Sequence, residues 1–281
     1  MNFSDFTAFV REVFNDDKGF IILHDPRFIG NERKYLLDAM DSNFVSSVGE
    51  YVGKFEQAIC EYTGSKYAIA AVNGTSALHI CLLLAGVKAD EEVITQPVSF
   101  IATCNAISYT GARPVFVDVD RRTMGMSAEK LEDFLKENAR KGADGFTYNN
   151  KTGRRFAAVV PMHTFGHPCD LDGIVAVCER YNIALVEDSA ESIGSYYKGK
   201  HTGLFGKLSA LSFNGNKVIT TGGGGMILTQ DEGLAKLAKH ITTTAKVPHR
   251  WEYNHDYTAY TYRLTNLAAA LGLGQIEQCD Y

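Results

Sequence analysis

Residues 209–226 read SALSFNGNKVITTGGGGM, and the interpretation of the whole chain starts from this stretch. The segment from Leu208 to Phe213 has the composition of a buried strand, and Lys217 follows it just before a run of glycines. A lysine amine is a nucleophile only when deprotonated, which near neutral pH requires burial or a neighbouring cation. We therefore interpret Lys217 as a lysine that captures carbonyl groups. The alternative is a surface lysine in a glycine-rich loop.

The composition is that of a globular protein. Its 281 residues, 45% of them hydrophobic, are enough for a large core or two domains. The net charge of -5 gives no basic surface for nucleic acid, and no apolar run is long enough to span a membrane. The N-terminus has no basic segment followed by an apolar one, so we expect no secretory signal. The six cysteines follow no disulfide or zinc spacing, which indicates reduced thiols, no bound metal and a cytoplasmic protein.

Short apolar runs alternate with helical patterns from Tyr67 onward. This alternation predicts an α/β fold, a mostly parallel sheet with helices on both faces. The predicted strands cover residues 67–72, 92–95, 114–119, 156–161, 183–186 and 208–213. The predicted helices cover residues 5–14, 32–40, 52–62, 77–85, 99–109, 128–139 and 171–181. We interpret residues 1–30 as an N-terminal lead-in and 31–281 as one large domain, with a surface loop at 141–155.

A small polar turn, Asn73-Gly74-Thr75-Ser76, lies between the first predicted strand and a helix. A turn of this kind directs free backbone N–H groups toward an anion, and its hydroxyl groups add further donors. The residues Gly74, Thr75 and Ser76 are therefore candidates for binding a phosphate. The alternative is an ordinary helix cap.

Further candidate residues follow other predicted strands, at the edge of a parallel sheet where ligands bind. They are Phe100, His163, Asp188 and Glu191. An acid such as Asp188 directly after an apolar strand is costly to bury without a cation, and a protonated pyridine nitrogen would be such a cation. Together with Lys217, this pattern indicates an enzyme that uses pyridoxal 5'-phosphate. Asp188 could instead be a helix cap or part of a structural ion pair.

The motifs at residues 73–78, 187–191, 212–217 and 260–267 together resemble the DegT/StrS-type nucleotide-sugar aminotransferases, a branch of the fold-type I pyridoxal phosphate enzymes. The resemblance runs nearly from end to end. Details at residues 24–30, 46–49 and 163–167 are most similar to the 4-aminotransferases of legionaminic acid pathways.

The resemblance implies a role for each candidate residue. Lys217 would bind the cofactor covalently and move a proton, and Asp188 would pair with the pyridine nitrogen. Phe100 would stack on the ring, with Glu191 near the ring hydroxyl. The residues expected at the phosphate are Gly74, Thr75, Ser76, Ser212 and, from the neighbouring subunit of a homodimer, Thr261. The residues expected to contact the substrate are His163, Asn214 and Lys246.

The resemblance also implies an activity. The expected reaction transfers an amino group, from L-glutamate, to carbon 4 of a nucleotide-linked 4-keto-6-deoxy sugar in bacterial surface-sugar biosynthesis. Two features depart from the family pattern. Thr261 stands where the family usually has asparagine, and relatives usually continue beyond the position of Tyr281 into a small C-terminal domain, so we expect the large domain alone. The alternatives are a non-catalytic pyridoxal-binding fragment and a sugar dehydrase, although dehydrases commonly have histidine in place of Lys217.

Overall fold

The computed structural model describes residues 3–279. The helices are α1 (Ser4–Phe14), α2 (Glu32–Asp41), α3 (Glu50–Thr63), α4 (Gly74–Leu84), α5 (Ile101–Tyr109), α6 (Ala128–Asn138), α7 (Leu171–Tyr181), α8 (Glu232–Thr242) and α9 (Asn266–Ile276). The strands are β1 (Tyr67–Ala71), β2 (Glu92–Thr95), β3 (Arg113–Phe116), β4 (Ala139–Lys141), β5 (Thr147–Asn149), β6 (Phe156–Val159), β7 (Ala184–Asp188), β8 (Tyr196–Tyr197), β9 (Lys200–His201), β10 (Leu208–Ser212) and β11 (Gly225–Thr229).

The central sheet has seven strands in the order β1-β11-β10-β7-β6-β2-β3. All of them run in the same direction except β11, which is antiparallel to both of its neighbours. The mostly parallel sheet predicted from the sequence is therefore confirmed. Because β1, β2, β6, β7 and β10 end at the same edge, the polar residues that follow them converge there.

Alternation along the strands divides the core between the two faces of the sheet. On one face, Ile69 and Ile227 pack with helices α4, α5 and α8. On the other face, Ala70 and Met226, one residue away in each strand, pack with α3 and α9. Helices α6 and α7 cover the rest of that second face. Both faces are thus covered by helices, as the apolar strands require.

Two regions differ from the sequence-based prediction. Part of the polar stretch 141–155 forms a β-hairpin, in which β4 pairs with β5. Strand β11 was not predicted: it returns antiparallel after the glycine run, and Gly225 packs so closely on the turn before α4 that a Cβ atom would lie 2.5 Å from the Asn73 carbonyl. Glycine is needed here for contact between backbones.

Helix α1 does not contribute to either core. None of its residues is buried, and Phe6, Phe9, Val13 and Phe14 are all largely exposed. Within residues 3–279, no helix combines the length and hydropathy that crossing a lipid bilayer requires.

Candidate active site

Lys217 lies in the loop that connects β10 to β11. The loop is fixed locally, because the Lys217 N–H donates to the Asn214 carbonyl at 3.0 Å and the buried Phe213 ring packs on Phe55 at 5.1 Å between centroids. The Lys217 side chain is 12% exposed, and its Nζ lies 3.0 Å from Glu191 Oε1. The other oxygen of Glu191 accepts a hydrogen bond from the Phe165 N–H at 3.0 Å. The loop and its acidic partner therefore hold the amine in a defined, mostly buried position.

Asp188 ends strand β7 and is buried. Its Oδ2 accepts a 2.6 Å hydrogen bond from the Thr103 hydroxyl, and its Oδ1 accepts one from the Ala190 N–H at 3.2 Å. Burial raises the pKa of Asp188, and these hydrogen bonds offset only part of the effect. Among the described residues no salt bridge neutralises this carboxylate. A buried acid without a cation is costly, so this position favours a ligand that brings a positive charge.

The first turn of helix α4 lies beside Ser212. The Asn73 side chain caps the helix by accepting from the Ser76 N–H at 2.8 Å, while Gly74 and Thr75 face a cavity. A Cβ atom on Gly74 would lie 2.8 Å from Ser212 Cβ, so only glycine allows the helix to approach this strand end so closely. The positive end of the helix dipole and the hydroxyl groups of Thr75 and Ser212 together suit an anionic group.

These elements surround a cavity of about 330 Å³. The sequence-predicted residues that line it are Gly74, Thr75, Phe100, Asp188, Glu191, Ser212, Asn214 and Lys217. Ser76 is not in the lining: it is buried, and its amide donates to the Asn73 side chain. Phe100, which directly precedes α5, is 70% exposed and is part of the cavity lining. The structure therefore brings an amine, a buried acid, an aromatic ring and a helix N-terminus to one place.

His163 does not reach this cavity, contrary to its expected role as a substrate contact. Its ring is fully buried, with Nε2 3.1 Å from Glu187 Oε2 and Nδ1 accepting from the Cys169 N–H at 3.3 Å. Strand alternation explains the placement: Met162 and Asp188 face the cavity, so His163 and Glu187 face the opposite side. The backbone of His163 also holds Asp188 in place, because the main-chain N–H of His163 donates to the Asp188 main-chain carbonyl at 3.2 Å.

Glu187 accepts hydrogen bonds from several backbone groups as well as contacting His163. Its carboxylate accepts from the N–H groups of Gly203 at 2.8 Å, Phe205 at 2.7 Å and Gly206 at 2.7 Å. Burial opposes ionisation, but the hydrogen bonds and His163 hold the pKa of Glu187 below its usual value. The motif at residues 187–191 thus places two acids, Asp188 and Glu191, at the cavity and one, Glu187, in the scaffold.

Lys246 and Thr261 also lie away from the cavity of this chain. The Lys246 Nζ sits over the Tyr253 ring, 3.8 Å from its centroid, which does not fit the expected substrate contact within one chain. Thr261 is exposed and forms a bridge to Thr243, in a segment whose Tyr262 carbonyl accepts from the Val72 N–H at 2.8 Å. The expected role of Thr261 at a neighbouring subunit's phosphate therefore stays a prediction.

Thr103 and Asn216 are polar residues that line or support the cavity and were not predicted as site residues. Thr103 lies one helical turn after Phe100, so a helical reading of α5 could have placed its hydroxyl near the strand ends. Asn216 is one residue from Lys217, and its Oδ1 accepts from Asn214 at 2.9 Å. No sequence signal separates Asn216 from an ordinary loop residue.

A second, larger cavity of about 800 Å³ adjoins the first. The two cavities share Glu191, Asn216 and Lys217 as lining residues. Residues 23–27 and Ile29 contribute another part of the wall. Lys217 and its partner acid therefore stand between two compartments of different size.

Comparison with known proteins identifies relatives of the same kind by sequence and by structure. The model of the DegT/DnrJ/EryC1/StrS aminotransferase family matches residues 27–281. A GDP-perosamine synthase of Escherichia coli O157:H7 is 41% identical over 261 residues, which are 93% of this chain and 67% of that protein. The solved structure of an aminotransferase from Psychrobacter cryohalolentis is 32% identical with a TM-score of 0.78, over 91% of this chain and 64% of that one.

Helicobacter pylori PseC, an aminotransferase involved in the biosynthesis of pseudoaminic acid, has a TM-score of 0.82 at 24% identity, which indicates a shared fold. The match covers 93% of this chain and 66% of PseC. The chain thus spans about two thirds of the length of these relatives.

Proposed function

Since the chain belongs to the DegT/DnrJ/EryC1/StrS aminotransferase family, we propose that it transfers an amino group to a nucleotide-linked keto-sugar. The observation that carries the proposal is the position of Lys217, whose Nζ lies 3.0 Å from Glu191 in a cavity that also contains the buried Asp188. An amine beside an unpaired buried acid is the arrangement that a cofactor with a carbonyl and a cationic ring requires.

Members of this family use pyridoxal phosphate, and the residues around the smaller cavity fit it. Gly74, Thr75 and Ser212 would bind the phosphate at the N-terminus of α4, and Phe100 would cover one face of the ring. Asp188 would pair with the ring nitrogen, which supplies the positive charge that the buried carboxylate lacks. When bound, the cofactor supplies a carbonyl that captures amines and a ring that accepts electrons.

The protein's own contribution to the reaction is positioning and proton transfer. Lys217 Nζ is the group that would hold the cofactor covalently and would carry a proton to and from the substrate carbon. Glu191 orients that amine through its 3.0 Å contact, and the Phe165 N–H fixes the acid in turn. A held amine needs no reorganisation before each transfer, which lowers the barrier.

The finer parts of the proposal concern substrate and setting. We propose carbon 4 of a nucleotide-linked 4-keto-6-deoxy sugar as acceptor and L-glutamate as donor, in bacterial surface-sugar synthesis of the legionaminic acid type. The 41% identity to a GDP-perosamine synthase supports an amino-sugar product. We further propose a homodimer, and the cytoplasm as its compartment because the six cysteines follow no disulfide spacing.

A sugar dehydrase is the second candidate, because dehydrases share this family resemblance. Lys217 favours a transaminase over a dehydrase, since the dehydrases commonly have histidine at this position. A non-catalytic pyridoxal-binding fragment would load the cofactor but would not react with an amino donor.

Product analysis separates these functions. The chain is loaded with pyridoxal phosphate, mixed with L-glutamate and a panel of nucleotide keto-sugars, and the products are identified by mass spectrometry. We expect a 4-amino sugar nucleotide and 2-oxoglutarate. A deoxygenated sugar without nitrogen would indicate a dehydrase, and cofactor binding with no reaction would indicate the non-catalytic alternative.

A further inference from the structure

The larger cavity has a wall that the proposed reaction does not yet use. Residues 23–29, which we call the strap, contribute Leu23 to Arg27 and Ile29 to this wall. Most of the strap precedes residue 27, where the family match begins. The strap thus borders the compartment next to Lys217.

Gln275, in helix α9, fastens the strap to the rest of the site. Its Nε2 donates to the Arg27 carbonyl at 2.8 Å and to Glu32 Oε1 at 2.7 Å. Its Oε1 accepts from the Thr220 N–H, in the loop that carries Lys217, at 3.3 Å. Since Gln275 is only 7% exposed, these bonds form away from water and fix strap and loop relative to each other.

A buried acid strengthens the same junction. Glu32 is 1% exposed, and its second oxygen accepts from the Gly30 N–H at 2.8 Å. A Cβ atom on Gly30 would lie 2.3 Å from the Gln278 amide nitrogen, so the end of the strap packs tightly against the chain after α9. The strap is therefore a fixed wall of the cavity.

One cation on the wall, Arg27, is available for an anionic group at the strap. The cationic or titratable bases among its described residues are His24, Arg27 and Lys217, and Lys217 is already paired with Glu191. The Arg27 guanidinium is 77% exposed and only 3.6 Å from the exposed Asp25 carboxylate. An exposed pair of this kind contributes little, so Arg27 can exchange it for a phosphate at small cost.

We propose that the strap borders the nucleotide part of the substrate site, with Arg27 binding its phosphates and Gln275 positioning the strap. This inference rests on the proposed function, and names the part of the substrate that the larger cavity receives. A volume of about 800 Å³ is within the range for sites that enclose ligands of this size. The shared lining at Glu191 and Lys217 then leaves the sugar end of the substrate beside the reacting amine.

The test uses the pyridoxal phosphate-loaded chain, with guanosine and uridine diphosphate as probes in titration calorimetry. We expect at least one probe to bind, and Arg27→Gln to weaken that binding about tenfold or more through loss of a charged hydrogen bond. Arg33→Gln, which removes the same charge from the exposed face of α2 outside the cavity, is the matched control and should bind like the wild type. The wild type failing to bind either probe, or binding no better than Arg27→Gln, would overturn the proposal.

Gln275→Met tests the positioning role. We expect faster amide exchange across residues 23–30 and weaker nucleotide binding than in the wild type. Equal exchange and equal affinity in the variant and the wild type would contradict this role. If the variant does not fold, the Arg27 comparison still decides the proposal. An absent glutamate half-reaction in the wild type would instead count against the proposed function.

Discussion

The Thr103 hydroxyl donates a 2.6 Å hydrogen bond to Asp188 Oδ2, joining helix α5 to the end of strand β7. This bond lowers the pKa of Asp188, against the larger raising effect of burial. We predict that Thr103→Val raises that pKa further and weakens cofactor binding, because an uncharged acid cannot pair with a cationic ring. Loss of a hydrogen bond to a charged group costs about 1.5–3 kcal/mol. Thr103→Ser keeps the hydroxyl and should bind pyridoxal phosphate like the wild type; equal affinity in all three proteins would contradict the role.

Asp188→Asn is predicted to have opposite effects on activity and on the stability of the cofactor-free chain. Transamination should fall about a hundredfold or more, because the electron-accepting ring loses its counter-charge. Stability without cofactor should rise at neutral pH, because burial raises the pKa of Asp188 above its usual 3.8. Between 3.8 and the raised value the folded state holds a proton that the unfolded state has released, so stability falls as pH rises through that window.

Thermal unfolding of the cofactor-free proteins at several pH values measures this effect. The gain of Asp188→Asn over the wild type should be complete above the raised pKa and should vanish as the pH falls toward the ordinary carboxyl value. Near-normal turnover in the variant would remove Asp188 from its assigned role. A wild type more stable than the variant at neutral pH would show that burial of the charged Asp188 carboxylate does not destabilise the folded chain.

Gly74→Ala is predicted to weaken phosphate binding. The added Cβ atom would lie 2.8 Å from Ser212 Cβ, which forces the first turn of α4 away from the strand end. We expect the dissociation constant for pyridoxal phosphate to rise about tenfold, a cost of about 1.4 kcal/mol. Gly53→Ala is the control, because a Cβ atom there meets nothing within 4 Å and alanine favours the interior of helix α3. Both variants can be titrated with the cofactor by absorbance, and unchanged affinity in Gly74→Ala would reject the close-approach argument.

Thr261 carries a prediction about assembly. We predict a homodimer in which Thr261 of one subunit approaches the cofactor phosphate of the other. An asparagine amide offers two donors where the hydroxyl offers one, so Thr261→Asn should tighten pyridoxal phosphate by about 1 kcal/mol if one added bond forms. Light scattering gives the oligomeric state, and cofactor titration gives the affinity. An active, cofactor-loaded monomer would refute the shared site.

Much of the fold follows from sequence patterns because it depends on local periodicity and on buried apolar strands. The strand at Tyr67–Ala71 and the helix at Leu171–Tyr181 agree with the sequence-based bounds to within a residue. Strand β11 was missed because its direction and pairing depend on the turn made by the preceding glycines. The antiparallel pairing of β11 depends on the close contact between Gly225 and Asn73, which are far apart in sequence, so no local sequence pattern indicates it.

Site residues were predictable where a reactive side chain directly follows a strand. They were not predictable where the direction of the side chain determines whether it reaches the cavity. Lys217 and Asp188 meet at one cavity as expected. His163 lies one residue out of phase with the cavity face, so it pairs with Glu187 instead. Gln275 lies shortly after the motif at residues 260–267, but its hydrogen bonds become visible only when α9 is packed against the strap.

The central claim is that Lys217 attaches the cofactor, and chemical trapping tests it most directly. The chain is incubated with pyridoxal phosphate, reduced with borohydride, digested, and mapped by peptide mass spectrometry, with Lys217→Ala as the control. We predict a stable pyridoxyl label at Lys217 in the wild type, and loss of both label and amino-group transfer in Lys217→Ala. A label on a different lysine, or full transfer activity in Lys217→Ala, would contradict the account.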